Sequence, residues 1–298
     1  RLGHPMVKGT PMPRLKPKPK PKPKPKTSTK RAPSSKKSAK APSTKVPAAR
    51  MTLKEGMAAL EKAGSAQTRK TYARHGAAEP MFGVSFGDLK KLLNRIKVDQ
   101  ELAEALWDTG NFDARNLAAK VCDPANFPPK VLDAWAAVPI GWLWGGYVGQ
   151  IAAEGPHGKS KAEKWLRAKA PPHDATRSAG WCTVGAMAMI DETLEDSWFL
   201  DRLHEIEEGL KSPSTPNRHR YVMNNALIAI GCRNAALRKA ATAAAKRLGT
   251  IEIDHGDTDC KTPDAVDRLE KSWDRAKAAG FASPAEQERA RESMRTRC

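Results

Sequence analysis

The stretch with the highest density of chemically active groups is residues 254–260, which reads DHGDTDC. Its carboxylates, imidazole and thiol are groups that bind metals, and His255 with Asp254 or Asp257 is a combination that general acid–base catalysis uses. The stretch lacks the period of an EF-hand loop and the paired spacing of a zinc site. We therefore expect neither a metal nor a cofactor, and a mainly structural role in which the aspartates accept hydrogen bonds from loop amides.

The cysteines show no framework for disulfides or zinc. Their number is odd, their spacing is wide, and no CxxC or CxxH pattern occurs. This indicates reduced thiols in a cytosolic protein. The five are Cys122, Cys182, Cys232, Cys260 and Cys298.

Two helical patterns precede residues 254–260. The first, over 218–230, has an apolar face of Val222, Met223, Ala226, Leu227, Ala229 and Ile230, and an opposite polar stripe of Tyr221, Asn224 and Asn225 together with Ile228. The second, capped by Asn234 and closed by Gly249, buries aliphatic side chains and exposes cations. A short β-branched piece follows at 251–253, and Thr262 with Pro263 is predicted to start the next helix.

Cations on these and neighbouring helices are candidates for contacts to phosphate, because affinity for duplex DNA depends on cations positioned along one face. Asn224 and Asn225 are candidate amide donors to phosphate or a base edge. The alternatives are a solvated charged face and asparagines that bridge helices. The candidate cations are Arg177, Arg218, Arg220, Arg238, Lys239 and Lys246.

Aromatic candidates lie earlier in the chain. Trp142 shares a helix face with Gly145, Gly146 and Gly149, and a face smoothed by glycine lets another backbone approach, either DNA or a packed helix. Trp181 is a second candidate for a surface contact, with core packing as its alternative. Trp142, Trp181, His255 and Asp257 are the candidate catalytic residues. Asp113 and Arg115 are expected to pair in a structural role.

Charge divides the chain at about residue 50. Residues 1–50 contain 16 of the 52 Lys and Arg residues and no acid, so they hold +16 of the net charge of +19. Eleven of the 23 prolines also lie there, and alternating Lys-Pro predicts a disordered, extended tail that contacts phosphates without reading sequence. The alternatives are a solvated tail, a gene start placed too early, since Met51 would serve as an N-terminus, and a targeting peptide.

Residues 51–298 are predicted to be a single all-α domain. Every strong periodic segment is helical and roughly 10 to 17 residues long, and the last of them covers 284–295. Thr52 with Glu55 in a capping box, Asp99 and Asn111 are predicted to start helices. Successive helices pair at intervals near 35 to 45 residues. This spacing predicts a HEAT-like or armadillo-type α-solenoid with a concave binding face, and an irregular bundle is the alternative. No apolar run is long enough to cross a membrane.

Three segments resemble the DNA alkylation repair family, the AlkD-like HEAT-repeat DNA glycosylases, and the resemblance covers about residues 53–270. The segments are YARHGAAEPMFGVSFGDLKKLLNRIK, LAEALWDTGNFDARNLAAKV and NRHRYVMNNALIAIGCRN, and the ending DHGDTDCKTPDA resembles one bacterial branch. The resemblance implies a helical arc that holds damaged duplex DNA. Its active members excise cationic N3- or N7-alkylpurines with an Asp and two Trp residues around the deoxyribose.

This chain departs from that pattern at three positions. The family's Asp aligns with Gly146, and its second Trp and the following Arg align with Asn225 and Ile228. We expect a cytoplasmic, nucleoid-associated monomer that binds duplex DNA, with alkylated DNA as the expected form, and that binds no membrane. Excision of N-alkylpurines is one hypothesis. The others are a non-catalytic module that recognises DNA structure, and a helical scaffold for proteins.

Overall fold

The computed structural model describes residues 50–141 and 146–297, and the regular elements within those ranges are helical. Within the same ranges, the one β-bridge joins Gly64 and Val84. The predicted all-α class is therefore confirmed. The helices are α1 Leu53–Ala63, α2 Ala66–Arg74, α3 Phe86–Ile96, α4 Gln100–Asp108, α5 Phe112–Val121, α6 Pro129–Ala136, α7 Gly146–Glu154, α8 Gly158–Leu166, α9 Asp174–Ile190, α10 Asp196–Lys211, α11 Asn217–Gly231, α12 Ala235–Leu248, α13 Ala265–Ala278 and α14 Pro284–Arg289, with 3-10 turns at Pro124–Asn126 and Met294–Thr296.

Local sequence signals set the ends of many helices. Thr52 and Glu55 form the predicted capping box, in which the Glu55 amide donates to Thr52 Oγ1 and the Thr52 amide donates to Glu55 Oε2 at 2.8 Å. Asn234 accepts the Leu237 amide at 2.9 Å and starts α12. Gly249 ends α12 with φ of +68°, a backbone conformation that favours glycine.

Two of the predicted boundaries differ from the structure. Asp264, rather than Thr262, caps α13 by accepting the Asp267 amide at 2.8 Å, so Pro263 precedes the helix. The helix predicted over 284–295 ends at Arg289 and gives way to a bend and a 3-10 turn. The β-branched piece at 251–253 belongs to no regular element.

Helices pack mainly on their near neighbours in the chain, as stacked helical repeats do. The longest helix, α9, contacts α7, α8 and α11, and α11 continues to α12 and α13. Close approach of α7 to α9 depends on Gly149, since a Cβ placed there would lie 2.7 Å from both Cys182 Cβ and the Thr183 amide nitrogen. Helix packing is thus the role of this glycine. Trp142 and Trp144 lie outside the described residues.

Helix α11 is buried more widely than its periodicity predicts. The predicted apolar residues Val222, Met223 and Leu227 are buried, as expected. Asn224, predicted on a polar stripe, is only 1% exposed, and its side-chain amide donates to the Pro263 carbonyl at 3.1 Å. The segment that leads into α13 covers this side of α11, so Asn224 holds two parts of the body together.

The C-terminal residues fold back onto helices from the first half of the chain. The Lys120 ammonium is fully buried and donates to the backbone carbonyls of Arg295 and Arg297 at 2.9 and 3.0 Å. Arg295, 5% exposed, pairs with Glu154 at 2.8 Å. Lys90 on α3 also donates to Glu292 at 2.5 Å. These contacts join α3, α5 and α7 to the end of the chain.

Asp113 has the structural role that was expected, but with different partners. Its buried carboxylate accepts the backbone amides of Phe82, Gly83 and Val84 at 2.6 to 2.9 Å. Arg115 does not pair with it. The Arg115 guanidinium donates to the Trp107 carbonyl instead and lies over the Trp107 ring, 5.5 Å from its centroid.

Candidate nucleic-acid interface

A cation at the start of α11 is the most unusual charged group in the body. The Arg218 guanidinium donates to Ser178 Oγ at 3.3 Å and to the Gly141 carbonyl at 3.0 Å. No carboxylate among the described residues lies within 4.0 Å of it. Burial lowers the pKa of Arg218 below its ordinary value, and the nearby Cys182, Asp174 and Tyr221 oppose that shift. The side chain stays charged at neutral pH, and its two hydrogen-bond partners, a hydroxyl and a carbonyl, are both neutral.

The residues around Arg218 form a continuous face between α9 and α11. Tyr221 and Asn225 follow Arg218 at helical spacing and are half-buried. On α9, the buried Ser178 bonds to Arg218, and Cys182 is close enough to interact with its charge. We call these five residues, Ser178, Cys182, Arg218, Tyr221 and Asn225, the α9–α11 strip. The Arg218 guanidinium, the Tyr221 hydroxyl and the Asn225 amide are groups of the kind that proteins use to hold phosphates. Ser178 is only 1% exposed and serves as a hydrogen-bond partner of Arg218.

Cys182 does not supply a nucleophile to this strip. Burial raises the pKa of its thiol to about 11, and the charge of Arg218 offsets the rise only in part. The thiolate is the reactive form of cysteine, so at neutral pH this sulfur is inert.

Two of the three departures from the active family pattern lie in the strip or beside it. Asn225 is part of the strip. Gly146 is the first residue of α7, and a Cβ at that position would lie 4.0 Å from Cys182 Sγ, which is an ordinary contact. The third position, Ile228, is buried with 9% exposure. The place that the resemblance assigns to the carboxylate therefore lies beside the strip and is occupied by glycine.

The other predicted contacts on α9 and α11 have separate surroundings. Arg220 donates to the carbonyls of Glu252, Leu210 and Ser212, so it braces the segment after α12 against the end of α10. Asn224 is not the contact to phosphate or a base edge that was predicted, because it is buried against Pro263 and unavailable to a ligand.

Arg177 lines a different cavity, of about 480 Å³, between α9, α10 and α11. Trp181 also lines it but is only 2% exposed, so of its two predicted roles the structure favours core packing over a surface aromatic contact. His219, at the same cavity, has a pKa lowered by burial and meets the Asp174 carbonyl at 3.1 Å.

The predicted cations on α12 have different surroundings from one another. Arg238 lies over the Trp273 ring of α13, 4.8 Å from its centroid. Lys239 and Lys246 are exposed, as predicted. The prediction that all the candidate cations line one concave surface stays a prediction.

Most of residues 254–260, but neither Asp257 nor Asp259, line a second cavity of about 380 Å³, which Tyr221 of the strip also lines. As predicted, an aspartate supports the loop, since Asp254 Oδ1 accepts the Gly256 amide at 2.8 Å. His255 Nε2 meets Thr262 Oγ1 at 3.1 Å, and Asp257 is exposed. Within the described ranges no three His, Cys, Asp or Glu residues are arranged to hold a metal ion.

Sequence patterns did not select several residues that the structure places at these sites. Arg74 and His75, at the end of α2, line the second cavity from the opposite wall, and no periodicity connects them with α11. In the sequence pattern, Cys182 cannot be distinguished from an ordinary small residue of the core. The one available signal was the i, i+3 spacing of Arg218 and Tyr221, which indicates a shared helix face.

The stacked helices and the cationic strip between two of them define a HEAT-like helical-repeat protein. A family model described as DNA alkylation repair enzyme matches residues 56–258. The chain belongs to the DNA alkylation repair family. Within the described residues, no helix is both long and apolar enough to cross a membrane.

Similar proteins extend over most of this chain. The uncharacterized protein Lin0241 of Listeria innocua is 30% identical over 215 residues, which are 70% of this chain and 91% of that protein. The uncharacterized protein Lmo0209 of Listeria monocytogenes is 28% identical, and the match covers 70% of this chain and 92% of that protein. A solved structure described as a new family of proteins related to the HEAT-like repeat DNA glycosylases with affinity for branched DNA structures matches with a TM-score of 0.68 and 29% identity, covering 78% of this chain and 98% of that one.

Proposed function

We propose that the protein binds DNA through the α9–α11 strip, as a nucleoid-associated monomer, and recognises the structure of the DNA without excising bases. The observation that carries this proposal is Arg218. A cation withdrawn from water is costly without a negative partner, and a phosphate of the DNA backbone supplies that partner. The neighbouring half-buried Asn225 amide adds a donor of the kind that binds phosphate. The affinity for branched DNA described for the similar structure supports a DNA ligand.

The absence of a carboxylate at Gly146 supports a non-catalytic role. Hydrolysis of an alkylpurine glycosidic bond proceeds through a cationic sugar, and a fixed carboxylate stabilises that charge. The strip has a guanidinium at its centre and glycine at the aligned carboxylate position. A positive group at this place would disfavour a developing positive charge on the sugar.

Removing the cation tests the binding site. Arg218→Ala should weaken binding to a duplex about tenfold or more and reduce the slope of log affinity against log salt by about one. Lys54→Ala on α1 removes the same charge from an exposed position and should change affinity less than about twofold. Fluorescence anisotropy at several salt concentrations measures both, after thermal melting shows that each variant is folded. Equal affinities for the two variants would contradict the proposal.

Excision of alkylated bases is the alternative, and the description of the family model favours it. The test is release of base from a duplex that contains 7-methylguanine. We expect the wild-type protein to bind this duplex without releasing base above the uncatalysed rate. Release by the wild-type protein would establish a glycosylase. Gly146→Asp should fold, because a Cβ added there makes only an ordinary contact with Cys182. Base release by this variant alone would show that the missing carboxylate is what separates the two functions.

A further inference from the structure

The second cavity continues the α9–α11 strip. Tyr221 belongs to both, and it lies on the same face of α11 as Arg218, three residues away. The remaining walls are the end of α2 and the long connection over residues 249–264. That connection contains neither helix nor strand, and structureless loops longer than roughly 12 to 15 residues are usually functional or disordered.

The loop is ordered by specific bonds to α11. Asn217 makes two hydrogen bonds with the Asp254 backbone, at 2.6 and 2.9 Å. Thr258 Oγ1 donates to the His255 carbonyl at 3.0 Å, and His255 Nε2 meets Thr262 Oγ1 at 3.1 Å. A connection fixed in this way presents its side chains at defined positions, which is what a binding site requires.

The chemistry of the walls is aromatic and cationic. The rings of Tyr221 and His255 meet edge to face with centroids 6.2 Å apart. Arg74 and Lys261 supply exposed cations from opposite sides of the cavity, and Asp254 supplies one acid, whose Oδ1 already accepts the Gly256 amide. Aromatic faces stack on nucleobases and cations bind phosphates, and this pairing is how proteins hold single-stranded nucleic acid.

We propose that this cavity binds one unpaired deoxynucleotide of the DNA, with the base against Tyr221 and His255 and the phosphate at Arg74 and Lys261. The volume of about 380 Å³ lies in the range of small-ligand sites. The inference rests on the proposed function, since the strip holds the flanking duplex. It gives that function a physical basis for selectivity, because a fully paired duplex offers no unstacked base.

The test compares three ligands on the full chain: a blunt duplex, the same duplex with a single-nucleotide bulge of 2-aminopurine, and free deoxyadenosine monophosphate. The bulged duplex should bind about tenfold tighter than the blunt one, and the 2-aminopurine fluorescence should be quenched by stacking. His255→Ala and Arg74→Ala, on opposite walls, should each reduce the tenfold preference to about twofold or less and leave blunt-duplex affinity within about twofold. His204→Ala, an exposed histidine on α10, is the matched control and should keep the full preference.

Cys260 gives an independent readout, because it is exposed and lines the cavity. Its alkylation by iodoacetamide, assigned by peptide mass spectrometry, should slow severalfold with the bulged duplex and not with the blunt one. Slowing by free deoxyadenosine monophosphate would show that the cavity also takes the nucleotide without a strand. If the wild-type protein binds no duplex, the proposed function fails. If it binds both duplexes equally, with no quenching and unchanged alkylation, only this inference fails.

Discussion

Arg218 and Arg295 show how differently one side chain is used within the same body. Arg295 is almost fully buried, pairs with Glu154 and donates to the carbonyls of Ala119 and Lys120. Arg218 is half-buried and has only a hydroxyl and a carbonyl as partners. A partly buried charge whose hydrogen-bond partners are all neutral is costly, so Arg218 is a candidate for a function outside the folding of the chain. This difference separates the candidate site from the internal anchors.

Gly149 provides a prediction at the scale of one residue. Gly149→Ala should lower the free energy of unfolding by about 1 to 3 kcal/mol, because the new methyl group would overlap Cys182 and the backbone of Thr183. Urea unfolding followed by circular dichroism measures the change. The matched control is Gly185→Ala on α9, where the added Cβ would lie 3.5 Å from Ala226 Cα and 3.6 Å from Ala229 Cβ. That variant should be neutral or up to about 1 kcal/mol more stable, and equal losses in both would contradict the packing argument.

At the scale of elements, ion pairs join α10 to α12. The Glu207 carboxylate accepts two hydrogen bonds from Arg247, at 2.8 and 2.7 Å, and pairs with Lys211 at 2.9 Å. The hydrogen bonds from Arg247 and then from Lys211 lower the pKa of Glu207 from 4.5 to about 2. Because the folded-state pKa is depressed, the stabilisation is complete above pH 4.5 and is lost as the pH falls towards 2.

Glu207→Gln should therefore be less stable than the wild-type protein at pH 7, and the difference should shrink between pH 4.5 and 2. Urea unfolding at several pH values in that window measures it. Glu208→Gln is the control on the same helix, since that carboxylate is exposed and approaches Lys211 only to 4.0 Å. A difference for Glu207→Gln that does not change with pH would show that the ion pairs are not its cause.

The beginnings of helices were readable from sequence because a cap is a local interaction. Thr52, Asp99, Asn111 and Asn234 each bond to an amide two or three residues later, and each was predicted as a cap. The environment of Asn224 was not readable, because its partner is the Pro263 carbonyl, 39 residues away. A helical period predicts which residues share a face, but it does not predict which distant segment covers that face.

In the candidate site, too, the local features could be predicted from the sequence and the long-range contacts could not. Arg218 was selected as a cation on a polar helix, and residues 254–260 were selected for their chemical groups. The cavity in which residues of this loop and Tyr221 meet Arg74 and His75 could not be predicted. Arg74 and His75 are more than 140 positions before the other residues and meet them only through the stacking of helices. For the same reason, the separate bracing role of Arg220 follows from contacts to α10 that no local pattern encodes.

At the scale of the whole molecule, the C-terminal residues contribute to the stability of the first half. Arg295→Ala should lower the free energy of unfolding by about 3 to 5 kcal/mol, because it leaves the Glu154 carboxylate without its partner in a largely buried place. Chemical denaturation is the measurement. Arg291→Ala, at a side chain that is half exposed and 3.8 Å from Glu288, is the control and should lose less than about 1 kcal/mol. Similar losses in the two variants would exclude a special role for Arg295.

The charge of residues 1–50 supports a prediction for the complete chain. Deleting them should weaken duplex binding and flatten its dependence on salt, because fewer counterions are released from the DNA. A variant of full length in which the lysines of this segment are replaced by glutamine separates charge from length and should behave like the deletion. Titrations between low and physiological salt give the slopes. A slope equal to that of the wild-type protein in both variants would leave the segment without a role in binding.

The bonds from Lys120 to the carbonyls of Arg295 and Arg297 also bear on how the protein is made. Because Arg295 and Arg297 follow Lys120 by 175 and 177 residues, they are synthesised long after it. Until then a cation that belongs in the interior lacks two of the carbonyls that it bonds in the folded body. Synthesis of residues 295–297, and not completion of any single repeat, is therefore the point from which this body can close.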